Sequence, residues 1–255
     1  MALCSKKCLC LITGASQGIG KEICIQLAEI VRGGSKFLIM ARNAANLAAT
    51  KSAMIEAKTD IEVKVVPGDI AKVDSYTDEL RTFFGQTIYN HFDVVLLVHN
   101  AGTLGRIDLT VRDMEDRDEW HNYLATNFTS MVLLSSVFLS SVKSACCHKF
   151  IVNITSLMAV KGFPSFGFYS AGKAAREGLM RVVAAEERDV RVLSYSPGPV
   201  ATDMTERIKV DSCNPEIKQQ FKVADFLTCS QTVKKLLEIM DENEFESGSR
   251  IDYFD

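Results

Sequence analysis

The sequence has no run of about 18 or more purely apolar residues, so no membrane-spanning segment is expected. It has little net charge: 29 Lys and Arg against 32 Asp and Glu leave a formal −3. That balance gives no reason to expect nucleic acid or an anionic membrane as partner. The opening M-A-L-C-S-K-K-C-L-C-L-I-T-G-A-S carries only a short apolar run, which flows directly into a glycine turn. It reads as a first core strand, not a secretion signal. Eight cysteines are present, none with metal-ligand spacing. Cys8, Cys10 and Cys24 fall in apolar patterns, as buried free thiols do. Together with the missing signal, this favours a reducing, cytoplasmic setting. No internal repeat, low-complexity tract or linker interrupts the chain.

What is present is ordinary for a globular domain: 47% hydrophobic and 24% charged residues over a length of 255. Near-continuous apolar runs alternate with helical patterns. LCLI precedes a helix over 21–31, KFLIMA one over 44–58, and IEVKVV one over 74–89. DVVLLV then leads to a long helix over 116–144, FIVNI to a helix over 169–187, and RVLSYS to short helices at 215–221 and 231–240. SRIDYF reads as a last strand. Apolar strands alternating with helices predict an α/β fold: one Rossmann-type, doubly wound parallel sheet with helices on both faces, a single domain over 1–255.

The turn T-G-A-S-Q-G-I-G, with Gly14, Gly18 and Gly20, follows a strand and opens a helix. That context suits a dinucleotide fingerprint, in which backbone N–H groups and a helix N-terminus meet a pyrophosphate. The second strand ends M-A-R-N, with Arg42 and Asn43 where NAD sites usually carry an acid. A guanidinium there suits a 2′-phosphate, so the pattern favours NADP. Asp69, in P-G-D-I, is placed to accept from an adenine amino group; a simple turn aspartate fits equally. Asn100, Ala101 and Gly102 form a tight exit from the fourth strand, and the adjoining His99 reads as a satisfied histidine lacking an acidic partner. Pro197–Met204 forms a loop at the sheet's carboxyl edge, with Thr202 where a nicotinamide carboxamide would lie. The polar, irregular 203–228 segment reads as a candidate lid.

Tyr169 and Lys173 stand four apart at the start of a helix, and so share a face. Ser156 lies just after an apolar strand, at the sheet edge where ligands of parallel α/β proteins bind. Together the three can polarise a carbonyl and hand it a proton. Asn127 sits mid-helix in L-A-T-N-F-T-S, a poor helical position that hints at a kink or a polar task.

T-G-x-x-x-G-x-G, N-A-G, a helical Asn, Ser, Y-x-x-x-K and P-G in this order resemble the short-chain dehydrogenase/reductase family across the whole chain. The resemblance implies a catalytic set of Asn127, Ser156, Tyr169 and Lys173. In it Tyr169 is the general acid, its pKa lowered by Lys173. Lys173 also holds ribose hydroxyls, and Asn127 supports a water leading from it to solvent. The resemblance also implies an NADPH site from Gly14, Ser16, Gln17, Gly18, Ile19, Gly20, Arg42, Asn43, Asp69, Ile70, Asn100, Ala101, Gly102, Tyr169, Lys173, Pro197, Gly198, Val200, Thr202 and Met204. V-N-I-T-S-L, Y-S-A-G-K-A-A-R, V-R-V-L-S-Y-S-P-G-P-V-A-T-D-M and the tail R-I-D-Y-F-D are similar to the family's pterin-reducing members. That likeness implies a pterin substrate bound by Ser156, Tyr169 and Asp252, with ring surface from Phe163, Phe166, Tyr195 or Met204. Those members usually carry an arginine where Gln17 stands, which leaves Arg42 to carry more of the NADP preference. A homodimer through the 116–144 and 169–187 helices is implied by the family alone. Two other readings remain open: a carbonyl reductase for diketones, quinones or other ketones, and a non-catalytic NADP-binding protein.

Overall fold

A computed structural model describes residues 2–89 and 91–255. Its seven strands are β1 (Cys8–Thr13), β2 (Lys36–Ala41), β3 (Glu62–Pro67), β4 (Val94–His99), β5 (His148–Ile154), β6 (Val190–Ser196) and β7 (Arg250–Asp252). They form one sheet in the order β3-β2-β1-β4-β5-β6-β7, and every pairing is parallel. The fold class expected from the sequence is therefore the one observed. The order reverses between β1 and β4, so the carboxyl ends of these strands open a crevice.

Side chains of a strand alternate between faces, and both faces here are covered. Cys8, Cys10 and Ile12 of β1 pack with Ile23, Cys24 and Leu27 of α1 (Gly18–Ile30) and Val233 and Leu236 of α9 (Cys229–Glu242). Leu9 and Leu11 face the other way, onto Phe84 of α3 (Thr77–Tyr89), Phe138 of α5 (Ser130–Val142) and Met180 of α6 (Gly167–Glu186). The Phe84 and Phe138 rings meet edge to face with centroids 5.0 Å apart. Cys8, Cys10 and Cys24 are fully buried, as expected.

The helix expected over 116–144 is α4 (Arg117–Leu124) running through a single π-helical turn, Ala125–Thr129, into α5. Asn127 lies in that turn. Asp116 caps α4 by accepting from Asp118 N at 2.8 Å. The run Arg117–Val142 is long and apolar enough, by length and composition, to cross a bilayer. Its Met131, Leu134, Phe138 and Val142 are instead buried in the core under the sheet.

Three expectations need correcting. The helix expected over 74–89 starts at Thr77, behind a 3-10 segment at Ile70–Tyr76. The last strand is three residues long, because the chain after Asp252 turns back: Asp255 N donates to Asp252 O at 3.1 Å. The 203–228 segment is not irregular. It contains α7 (Asp203–Asp211) and α8 (Pro215–Val223), and α2 (Ala44–Ala57) completes the helix set. Thr202 and Thr205 cap α7 reciprocally, and Asn214 caps α8 by accepting from Ile217 N at 2.9 Å. Ile208, Ile217 and Phe221 of these two helices roof a satellite apolar cluster with Leu104, Ile107, Phe166 and Tyr169.

Candidate active site

Two connected cavities lie along the carboxyl edge of the sheet. The first, about 700 Å³, is lined by Gly14, Ser16, Gln17, Gly18, Ile19, Arg42, Asn43, Asp69, Ile70, Asn100, Ala101 and Gly102. Its shape follows from the glycine turn. Gly14 and Gly18 have φ of +67° and +55°, a region that favours glycine. A Cβ on Gly14 would come within 2.8 Å of Asn100 Nδ2. Asn100 Nδ2 donates to Thr13 O at 3.0 Å and Gly14 O at 3.1 Å, while Thr13 Oγ1 accepts from Asn100 N and Ala101 N, each at 3.1 Å. The ends of β1 and β4 are thereby held together.

This cleft fits a dinucleotide. The α1 N-terminus opening onto it has no side-chain cap and no acid in its first turn, so its orphan N–H groups and dipole are available to a phosphate. Arg42 is exposed at the far edge, with no acid at the end of β2. Four expected cleft residues have other tasks. Gly20 is buried and does not line the cleft; it allows the helix to sit against Gly14 and Asn100. Asn43 and Asp69 line the cleft but also cap their own turns, accepting from Asn46 N and Ala71 N at 3.0 Å each. Gln17 donates through Nε2 to Asp203 Oδ2 at 2.9 Å, bridging the glycine turn to α7.

The second cavity, about 320 Å³, brings together Ser156, Tyr169, Lys173, Pro197, Gly198, Val200, Thr202, Met204 and Asp252. Ile19, Asn100, Thr202 and Met204 line both cavities. Ser156 lies two residues beyond the end of β5 and caps the short turn that follows, its Oγ accepting from Met158 N at 3.2 Å. That bond uses an oxygen lone pair and leaves the hydroxyl proton free to donate. Tyr169 and Lys173 are one helical turn apart on α6 and nearly buried, at 8% and 6% exposure. Lys173 Nζ donates to Ile154 O at 2.6 Å and lies 5.4 Å from the Tyr169 ring centre.

Burial dominates the electrostatics here, and this corrects the expectation that Lys173 lowers the Tyr169 pKa. Burial pushes the Tyr169 phenol above its ordinary value; the Arg176 charge and a hydrogen bond from Ser156 oppose it. Burial and the Arg176 charge hold Lys173 well below its ordinary value, against the pull of Glu177. Both groups therefore lean toward their neutral forms.

Asn127 lines neither cavity and is 2% exposed. Its Oδ1 accepts from Thr103 N at 2.7 Å, and its Nδ2 donates to Tyr123 O at 3.0 Å and Thr103 Oγ1 at 3.1 Å. Through these bonds it braces the wall of the nucleotide cleft, which the half-buried Thr103 lines. His99 is buried with Nε2 at 2.9 Å from Ser135 Oγ, the satisfied histidine expected. Of the four side chains weighed as ring surface, Phe163 and Met204 line the second cavity. Phe166 and Tyr195 do not. Phe166 is buried in the satellite cluster, and Tyr195 points to the opposite face of the sheet, where its hydroxyl donates to Thr232 O at 2.9 Å.

The sequence reading missed Arg176, Glu177 and Arg250. Arg176 is 2% exposed and bonds Asn153 Oδ1 at 2.8 Å, Ala101 O at 2.9 Å and His99 O at 2.6 Å, tying the ends of β4 and β5 together. Burial pulls its pKa down to about 10. Its place three residues after Lys173, on the same helical face, was a readable signal.

The model of the short chain dehydrogenase family matches residues 9–212. Sepiapterin reductase from Meriones unguiculatus is 34% identical over 252 residues, covering 97% of this chain and 96% of that protein. L-xylulose reductase from Caenorhabditis elegans is 32% identical over 200 residues, covering 76% of this chain and 72% of that one. A solved short chain dehydrogenase/reductase from Saccharomyces cerevisiae superposes with a TM-score of 0.78 at 26% identity, covering 98% of this chain and 96% of the yeast one. The extent of these matches, on a glycine-turn cleft joined to a Ser-Tyr-Lys cavity, means that this chain belongs to the short-chain dehydrogenase/reductase family.

Proposed function

We propose that this protein is an NADPH-dependent reductase of a side-chain ketone on a pterin, sepiapterin or 6-pyruvoyl-tetrahydropterin, in the final step of tetrahydrobiopterin formation. The bound dinucleotide supplies the hydride. Ser156 donates a hydrogen bond to the ketone oxygen, and that bond strengthens as negative charge develops. Tyr169, kept protonated by its burial, delivers the proton to the same oxygen. Lys173 holds the ribose hydroxyls and fixes the floor of the site from its bond to Ile154 O. The backbone around Gly14–Ile19 holds the pyrophosphate. Arg42 meets the 2′-phosphate, with Gln17 engaged on Asp203.

The observation that carries the substrate reading is Asp252, half-buried at the end of β7 and lining the same cavity as Ser156 and Tyr169. A carboxylate there can pair with two parallel N–H donors on a 2-amino-4-oxo pyrimidine edge. Phe163, Phe221, Phe254 and Met204 supply apolar surface for the ring. The same apolar lining also suits simple diketones, which makes a general carbonyl reductase the second reading. The whole chain acts as one domain in the cytoplasm, as a homodimer. Leu133 on α5 and Val182 on α6 are 42% and 50% exposed, which supports pairing through these helices.

The test is oxidation of NADPH with sepiapterin, run beside NADH and a simple diketone. Fast, NADPH-selective turnover of sepiapterin supports the reading. Turnover of the diketone alone keeps the reductase and discards the pterin.

A further inference from the structure

Behind the cavity wall runs a line of charged and polar groups whose two ends, Asp252 and Thr155, both line the substrate pocket. Arg250 and Asp252 alternate on β7 and so share a face of the strand. Arg250 Nη2 donates to Asp252 Oδ2 at 2.9 Å. Its Nε lies 3.3 Å from Glu177 Oε1, a charge contact without hydrogen-bond alignment, and this buried N–H has no other partner among the described residues. Glu177 sits one helical turn beyond Lys173, and its side chain is 4% exposed. Its Oε1 accepts from Thr155 Oγ1 at 2.6 Å, and Thr155 immediately precedes Ser156. Arg250 does not line the cavity.

Resting on the pterin reading above, we propose that Arg250 is a positioning residue for substrate specificity. It fixes the Asp252 carboxylate against Glu177 of the catalytic helix. A carboxylate on a three-residue edge strand, without such a partner, would sample several rotamers. Arg250 takes one lone pair of Oδ2, and Oδ1 accepts only from Phe254 N at 3.4 Å among the described residues, so each oxygen keeps a lone pair for one N–H of the ligand. It also offsets the carboxylate's charge locally, so the pocket favours a neutral edge with two N–H donors over a cation. A planar guanidinium can reach two carboxylates at once through different nitrogens, which an ammonium does less well.

The test compares Arg250→Gln and Arg250→Lys with the unaltered protein, using NADPH with sepiapterin and with a simple diketone that has no pyrimidine edge. Arg250→Gln is expected to raise KM for sepiapterin about tenfold, equivalent to ~1.4 kcal/mol. Its kcat and its KM for the diketone stay near those of the unaltered protein, and Arg250→Lys recovers part of the lost affinity. A merely structural role would move both substrates together, so an equal rise for the diketone overturns the proposal, as does an unchanged sepiapterin KM. If the unaltered protein reduces the diketone but not sepiapterin, the pterin reading fails and this assignment falls with it. If it reduces both and Arg250→Gln changes nothing, only the assignment falls.

Discussion

Asn127 offers the sharpest check on how the helix interruption supports the cleft. In the π-helical turn its amide group gives partners to two backbone groups, one on the helix and one on the loop after β4: Tyr123 O accepts from Nδ2, and Thr103 N donates to Oδ1. Asn127→Ala removes both partners at a position only 2% exposed. Each orphaned buried group costs roughly 1–3 kcal/mol, so the expected loss is roughly 2–6 kcal/mol. For a chain of this size that lowers Tm by on the order of 5–20 °C. Asn127→Leu keeps the volume and loses the polar atoms, so it should not rescue. The assay is thermal unfolding followed by circular dichroism, with NADPH affinity measured in parallel, because Thr103 lines the nucleotide cleft. Affinity should weaken in both variants. An unchanged Tm in Asn127→Ala, or a full recovery in Asn127→Leu, would refute the reasoning.

Two further outcomes follow from the same geometry. Burial and the Arg176 charge hold His99 well below its ordinary pKa, so the folded protein keeps it neutral. Unfolded, it titrates near ~6.5; below that pH the unfolded state alone binds the proton, and stability falls by up to ~1.4 kcal/mol per pH unit as pH drops. Urea titrations between neutral and mildly acid pH should show that slope reduced in His99→Gln, and an identical slope would contradict it. Asp252→Ala should raise KM for sepiapterin strongly and leave NADPH affinity unchanged; an unaltered KM would remove Asp252 as the anchor.

Much of the fold was legible because the physics is local. Short apolar runs rich in β-branched residues, such as VVLLV, fit a strand covered on both faces, and Gly14 and Gly18 sit at positive φ where the spacing demanded a tight turn. The serine, tyrosine and lysine meet in one cavity because a strand end and a helix face fix their places. α7 was hidden because its sequence is polar along most of its length. Its signal was the Thr202–Thr205 capping pair, which is easily read as loop. Tyr195 lies away from the cavity because strand parity turns it to the face opposite Ser194 and Ser196, into the core. The same parity pairs Arg250 with Asp252, but nothing in the tail's sequence points to Glu177, about seventy residues earlier on α6. The direction of the Tyr169 pKa was out of reach as well. Proximity to Lys173 was visible in the spacing, while the burial that outweighs it depends on the packed roof of α7 and α8.

The most direct test of the central claim is the turnover of Tyr169→Phe with NADPH and a ketone that the unaltered protein reduces, measured beside its thermal unfolding. Loss of the phenolic proton with the ring retained should cut kcat by roughly 10²–10⁴-fold, the usual worth of a positioned acid, with Tm and NADPH affinity preserved. A near-normal kcat would contradict the assignment of Tyr169 as the proton donor and, with it, the account of the site.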